Sequence, residues 1–205
     1  MDFIPLLKVN LTAEDIAKVV NVLQSGMLVQ GKEVLALEKK ISNYLGVKHT
    51  IAASKGTATL HLALLALGIK PGDEVILPAL SYIATANVIE VVGAKPVFVD
   101  IDQYHLTIDE TKIEAAITER TTAILATHVF GNPCNVEAIE KIANKHNLKV
   151  IYDAAHCFGV EFKGKSLFNY GDVSTCSFHA TKIFHTGEGG AFFCNDVKLN
   201  KKMYY

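Results

Sequence analysis

Seven short apolar runs recur along this chain: "TIAAS", "EVILPA", "KPVFVDI", "TAILATHVF", "KVIYDAA", "VSTCSF" and "GAFFCN". They are nearly continuous rather than alternating, so strands built from them must hide both faces. Between most of them lie segments with helical spacing, best seen in "TATLHLALLALG", "SYIATANVIEVVG", "IDETKIEAAI" and "NVEAIEKIANKH". Doubly buried strands joined by helical crossovers predict an α/β fold: a mainly parallel, seven-stranded sheet with helices on both faces.

Two further helices precede the first run. Thr12 can cap one that runs to about Ser25 and stops at Gly26. Val34, Leu37, Ile41 and Leu45 give the next an apolar face ending at Gly46. Asp196 is placed to cap a last helix, "VKLNKKMYY", still under way at Tyr205, so the sequence reads as the front portion of a longer protein.

Half of the residues are hydrophobic and the mean hydropathy is +0.25, so much apolar surface must be hidden in a core or an interface. No run approaches the ~18 apolar residues that span a bilayer, and the opening "MDFIPLLKVN" lacks the pattern of a signal peptide; the expectation is a cytoplasmic protein. A net charge of -1 provides no polybasic footprint for nucleic acid or an anionic membrane. Cys134, Cys157, Cys176 and Cys194 form no C-x-x-C pair and sit in apolar surroundings, which predicts buried, reduced thiols.

In an open parallel sheet, ligands bind outside the carboxyl ends of the strands, so the residues just after each run are the candidates. The first run passes through Lys55, Gly56 and Thr57 into a helix. A glycine there lets backbone approach an anion, and free amides with the helix dipole favour a phosphate. A plain capped turn is the other reading, since the stretch is neither a Walker loop nor G-x-G-x-x-G. Tyr82 opens the next helix, where it can stack on a flat ligand ring or pack in the core.

In "KVIYDAAHCFG", Asp153 ends a buried strand and His156 follows. A carboxylate among apolar neighbours must be paired, and an acid in this position often serves a cofactor or metal. In "SFHATKIFHTGEGGAFF", Ser177 ends a strand and Lys182 lies beyond it. A lysine between apolar runs has its ammonium form disfavoured by desolvation, which frees the amine as a nucleophile toward carbonyls; an exposed loop lysine is the other reading. A phosphate cradle, a stacking aromatic, a buried carboxylate and a desolvated lysine together are what pyridoxal phosphate requires.

The stretches "SKGTATLHLALLALGIKPGDEVILPALSYIATAN", "GAKPVFVDID", "HVFGNPCNVEAIEKIANKHNLKVIYDAAHCFGV" and "GDVSTCSFHATKIFHTGEGGAF" closely resemble the DegT family of nucleotide-sugar aminotransferases, in the fold-type-I aspartate aminotransferase superfamily. The likeness runs from "SGMLVQGKEV" to the last strand. It implies that residues 1–205 are the pyridoxal 5'-phosphate-binding large domain, with the C-terminal small domain outside this chain. Lys182 matches the Schiff-base lysine that also shuttles a proton, and Asp153 the partner of the pyridine nitrogen. Tyr82 matches the stacking aromatic and His156 a Gln or His position beside the ring. Gly56, Thr57 and Ser177 match the phosphate contacts, and Ser25–Gly31 a loop bordering the sugar-nucleotide site. Lys55 departs from the family, standing where many relatives have Asn or Ser.

The resemblance further implies a homodimer whose active site takes residues from both subunits, glutamate as amino donor, and a keto-deoxy sugar nucleotide as acceptor. The "SFHATK" and "GEGGA" forms are most similar to members acting at C4, in amino-sugar biosynthesis for surface polysaccharide. Three other readings weigh less. The family's dehydratases replace the Schiff-base lysine by histidine, whereas Lys182 is intact. An inactive or regulatory relative predicts no covalent cofactor. A metal hydrolase using His128, His156, His179 or His185 lacks any H-x-x-x-H pair or Cys/His ligand spacing.

Overall fold

The structure, a computed structural model, describes residues 8–204. The first residues of the opening segment and Tyr205 lie outside the described residues. In chain order the strands are β1 (His49–Ala53), β2 (Glu74–Pro78), β3 (Lys95–Val99), β4 (Thr121–Thr127), β5 (Lys149–Asp153), β6 (Glu161–Phe162), β7 (Lys165–Ser166), β8 (Val173–Ser177) and β9 (Gly190–Cys194). The helices are α1 (Ala13–Ser25), α2 (Lys32–Leu45), α3 (Gly56–Ala66), α4 (Ile83–Val91), α5 (Val136–His146) and α6 (Val197–Tyr204).

Each of the seven apolar runs is a strand of one sheet, in the order β1-β9-β8-β5-β4-β2-β3. Parallel pairs join β8, β5, β4, β2 and β3, and β9 alone runs against its neighbours β8 and β1. The other six strands therefore end on one edge, and β9 begins there. The connection from β8 to β9 has no helix, which is why β9 returns antiparallel beside β8.

Alternate residues of the central strands feed two cores. Val75, Leu77, Ala123, Leu125 and Ile151 pack with Leu60, Leu64, Val88 and Ile89 of α3 and α4. Ile76, Ile124, Ala126, Val150 and Tyr152 pack with Ile139 and Ala143 of α5 on the opposite face. Helix α2 adds Ile41 and Leu45 to a third cluster around Phe168, Phe178 and Phe193. Burial of both sheet faces explains the unbroken apolar runs.

The caps follow the sequence closely. Thr12 and Asp15 form a capping box at α1, Gly26 and Gly46 end α1 and α2 in the left-handed conformation, and Asp196 accepts from Lys198 and Leu199 amides at α6. All four cysteines are buried and free.

One expected helix is absent. "IDETKIEAAI" forms two short 3-10 turns, Glu110–Lys112 and Glu114–Ala116. Asp109 caps the first through the Thr111 amide, and Ile108 and Ile113 are buried. That apolar pair is held without a full helix, and Glu114 binds Lys145 and His146 on α5. The hairpin β6–β7 was not expected; its strands are too short to carry a periodicity.

Candidate active site

Gly56, Thr57, Tyr82, Asp153, His156, Ser177 and Lys182 all line one cavity of about 620 Å3 at the carboxyl edge of the sheet. The Ser25–Gly31 loop does not line it. Helix α3 starts directly against the junction of β8 and β9. A Cβ on Gly56 would come within 2.8 Å of the Ser177 Cβ, and one on Gly190 within 2.7 Å of the Gly56 nitrogen. Two glycines facing each other thus let the first turn of α3 press onto the strand ends. The first intrahelical donors to Lys55 carbonyl are Ala58 and Thr59, so the amides of Gly56 and Thr57 precede the helix ladder and are open to an anion.

Asp153 is only 5% exposed. As an odd-numbered residue of β5 it shares a face with Ile151, and α4 crosses that face. Thr85 of α4 donates to its Oδ2 at 3.0 Å, and the Ala155 amide donates to Oδ1 at 3.2 Å. Burial pushes the carboxyl above the usual aspartate range, against the opposing effects of these two bonds, His156 and Lys182. Ser81 stands 2.6 Å from the Thr85 hydroxyl and 3.0 Å from that of Thr127. An ionised carboxylate only accepts, so the protons run one way, from Thr127 to Ser81 to Thr85 to Asp153. Sequence reasoning missed all three hydroxyls. Thr85 lies inside a helix, and only the parity of β4 and β5 with the α4 crossing brings it to Asp153.

Lys182 is half-buried, not sealed between strands as its apolar flanks suggested. Its loop is closed at the base by Phe178 amide to Gly189 carbonyl and Thr186 amide to Phe178 carbonyl. Phe178 and Phe184 meet edge to face with centroids 5.1 Å apart, and Phe158 stacks on Phe184 at 4.2 Å. This aromatic floor carries the lysine. Nζ lies 2.9 Å from Nε2 of His156, whose ring is parallel to Phe130 at 5.9 Å.

Tyr82 is 75% exposed at the start of α4 and stands on the cavity wall, so it is not a core residue. Ser177 accepts from the His179 amide at 3.4 Å. Lys55 lines the same cavity.

The remaining histidines do not join this group as a metal set. His128 is buried and stacks on Tyr152, with desolvation holding its pKa at about 3. His179 is engaged with Thr181 at 2.9 Å and Glu188 at 3.6 Å, and His185 accepts from the Gly187 amide. Among the described residues no cluster of three His, Cys, Asp or Glu side chains could hold a metal ion.

Residues 9–205 match the profile of the DegT/DnrJ/EryC1/StrS aminotransferase family. The chain belongs to this family. It is 48% identical over 173 residues to GDP-perosamine synthase of Caulobacter vibrioides, covering 84% of this chain and 47% of the relative. It is 51% identical over 167 residues to dTDP-4-amino-4,6-dideoxy-D-glucose transaminase of Shigella dysenteriae, covering 82% and 45%. The Streptococcus pneumoniae protein Spr1654, solved in a PLP form, superposes with a TM-score of 0.92 at 32% identity, over 98% of this chain and 56% of that one. The sheet is therefore that of fold-type-I aminotransferases. The chain spans about half the length of the curated relatives it matches.

Proposed function

We propose that this DegT-family chain is the cofactor-binding large domain of a pyridoxal phosphate-dependent nucleotide-sugar aminotransferase. It transfers an amino group from glutamate to C4 of a keto-deoxy sugar nucleotide, in amino-sugar synthesis for surface polysaccharide. The observation that carries this reading is the convergence of Lys182, His156 and Asp153 with the open turn at Gly56 in one cavity. The names of both curated relatives are of nucleotide-linked sugars, and that of the Shigella dysenteriae relative supports a 4-amino sugar as product.

The residues fit the cofactor by chemistry. Amides at the start of α3 and the Ser177 hydroxyl suit a phosphate dianion. Asp153, buried and short of cationic partners, would be completed by a protonated ring nitrogen, which favours the ionised form that burial penalises. Tyr82 offers a ring face on the cavity wall. Pyridoxal phosphate, when bound, supplies an aldehyde for the amine and a ring that stores the electron pair of a broken C–H bond.

Asp153 would hold a proton on the ring nitrogen. Its fixed orientation comes from Thr85 and the Ala155 amide. Lys182 would anchor the cofactor, and its Nζ would be the group that moves a proton at the substrate carbon.

We read the working assembly as a homodimer in the cytoplasm. The apolar residues Ile16, Val19, Leu23, Leu28 and Val29, all exposed on and after α1, support burial against another protein surface. No described helix is long and apolar enough to cross a membrane. The donor half of the reaction provides a test: mixing cofactor-loaded protein with glutamate should release 2-oxoglutarate in equal amount to bound cofactor. Turnover with another amino acid and none with glutamate would refute the donor.

A further inference from the structure

The contact between Lys182 and His156 joins two nitrogens, at 2.9 Å. An ammonium has only donors, so Nε2 of His156 accepts and its ring proton sits on Nδ1. Among the described residues no carboxylate lies within ion-pair distance of Nζ, and the histidine is the lysine's direct polar partner. Stacking on Phe130 at an interplanar angle of 3° sets the plane of the imidazole. Burial, and then the charge of Lys182, lower the pKa of His156 and so favour its neutral form, with Asp153 opposing. Lys55, Tyr82, His128, Cys176, His179 and Glu188 are the other titratable groups lining the cavity.

A lysine that must attack an aldehyde faces one chemical obstacle, because its ammonium has no lone pair. We propose that His156 is the proton acceptor that activates Lys182 for capture of the cofactor aldehyde. One Nζ proton passes to Nε2, and the free amine bonds to the carbonyl carbon. The second proton moves from nitrogen to the carbonyl oxygen, and His156 returns the first to the same oxygen. The C–O bond then breaks, water leaves with both protons, and a C=N bond remains with imidazole restored. This role rests on the cofactor reading above and concerns loading of the protein rather than turnover.

The test is rapid mixing of the chain with pyridoxal 5'-phosphate while the visible absorbance of the lysine-bound cofactor is followed across pH. His156→Gln keeps a hydrogen-bond acceptor near Nζ but cannot carry a proton. The variant should load roughly a hundredfold more slowly, the usual scale of a lost general base. It should reach the same final absorbance and lose the inflection of rate with pH that the native chain shows. Added imidazole should restore loading in His156→Ala, an effect that a packing role would not produce. Equal rates and equal pH profiles in native and Gln forms, or no acceleration by imidazole, would overturn the proposal while leaving the cofactor reading intact. Absence of any Lys182-dependent absorbance in the native chain would overturn both.

Discussion

Two carboxylates are buried at opposite ends of the same sheet, and they are treated in opposite ways. Glu74 begins β2 and is 2% exposed; Asp153 ends β5 and is 5% exposed. Glu74 receives the Thr118 hydroxyl at 2.6 Å, Arg120 at 2.8 Å and Lys95 at 3.2 Å. The Thr118 bond above all, then Arg120, hold its carboxyl down at about 2, with Lys95 adding to them. Asp153 receives one hydroxyl and one amide, and burial wins, pushing its carboxyl up. A carboxylate saturated with donors fastens β2, β3 and the entry to β4. One left short of charge at the carboxyl edge of the sheet suits the cationic partner proposed for it above.

Replacement of Asp153 by Asn should produce the largest effect on that contrast. Cofactor affinity measured by titration should fall about a hundredfold, as expected when a buried hydrogen-bonded charge pair loses one partner. The melting temperature of the cofactor-free chain should hold or rise, since a buried carboxylate short of partners is relieved.

Glu74→Gln should show the reverse: a clearly lower melting temperature in calorimetry and cofactor affinity unchanged within about twofold, a factor equivalent to a few tenths of a kcal/mol. Its pH dependence is also fixed in sign. The folded value lies below the unfolded one, so the stabilisation is present above the ordinary glutamate range and is lost as pH falls toward about 2. Asp153 has the opposite sign, costing stability as pH rises through its elevated value. Acid unfolding curves of Glu74→Gln and Asp153→Asn should diverge accordingly.

Thr85→Val tests the hydroxyl relay behind Asp153. Loss of a hydrogen bond to a charged group is worth ~1.5–3 kcal/mol, so cofactor affinity should drop at least about tenfold. Tyr82→Ala should cost least, a few-fold in affinity, because stacking adds only about 0.5–1.5 kcal/mol beyond the area covered. A Tyr82 variant with weaker binding than Asp153→Asn would reverse the order that the two-carboxylate contrast predicts.

Much of this contrast was legible in the sequence on one side only. Asp153 and Lys182 stand out in the sequence because each follows an apolar run, and the structure brings both to one cavity at the carboxyl edge of the sheet. Glu74 reads as an ordinary strand-opening acid, since its partners Thr118 and Arg120 lie more than forty residues away in sequence and meet it only when β2 and β4 pair. The hydroxyls of Ser81, Thr85 and Thr127 were hidden for the same reason. The strands were visible because burial on both faces leaves an unbroken apolar signal. The reversal of β9 was not read, although the glycine-rich, helix-free stretch before it carried the hint.

If Lys182 is the covalent anchor, peptide mapping after borohydride reduction of the pyridoxal phosphate-treated chain will locate the cofactor on it. One phosphopyridoxyl group is expected on Lys182, with labelling lost in Lys182→Ala. Equal labelling of the native and Lys182→Ala chains, or a label concentrated on another lysine such as Lys55, would contradict it.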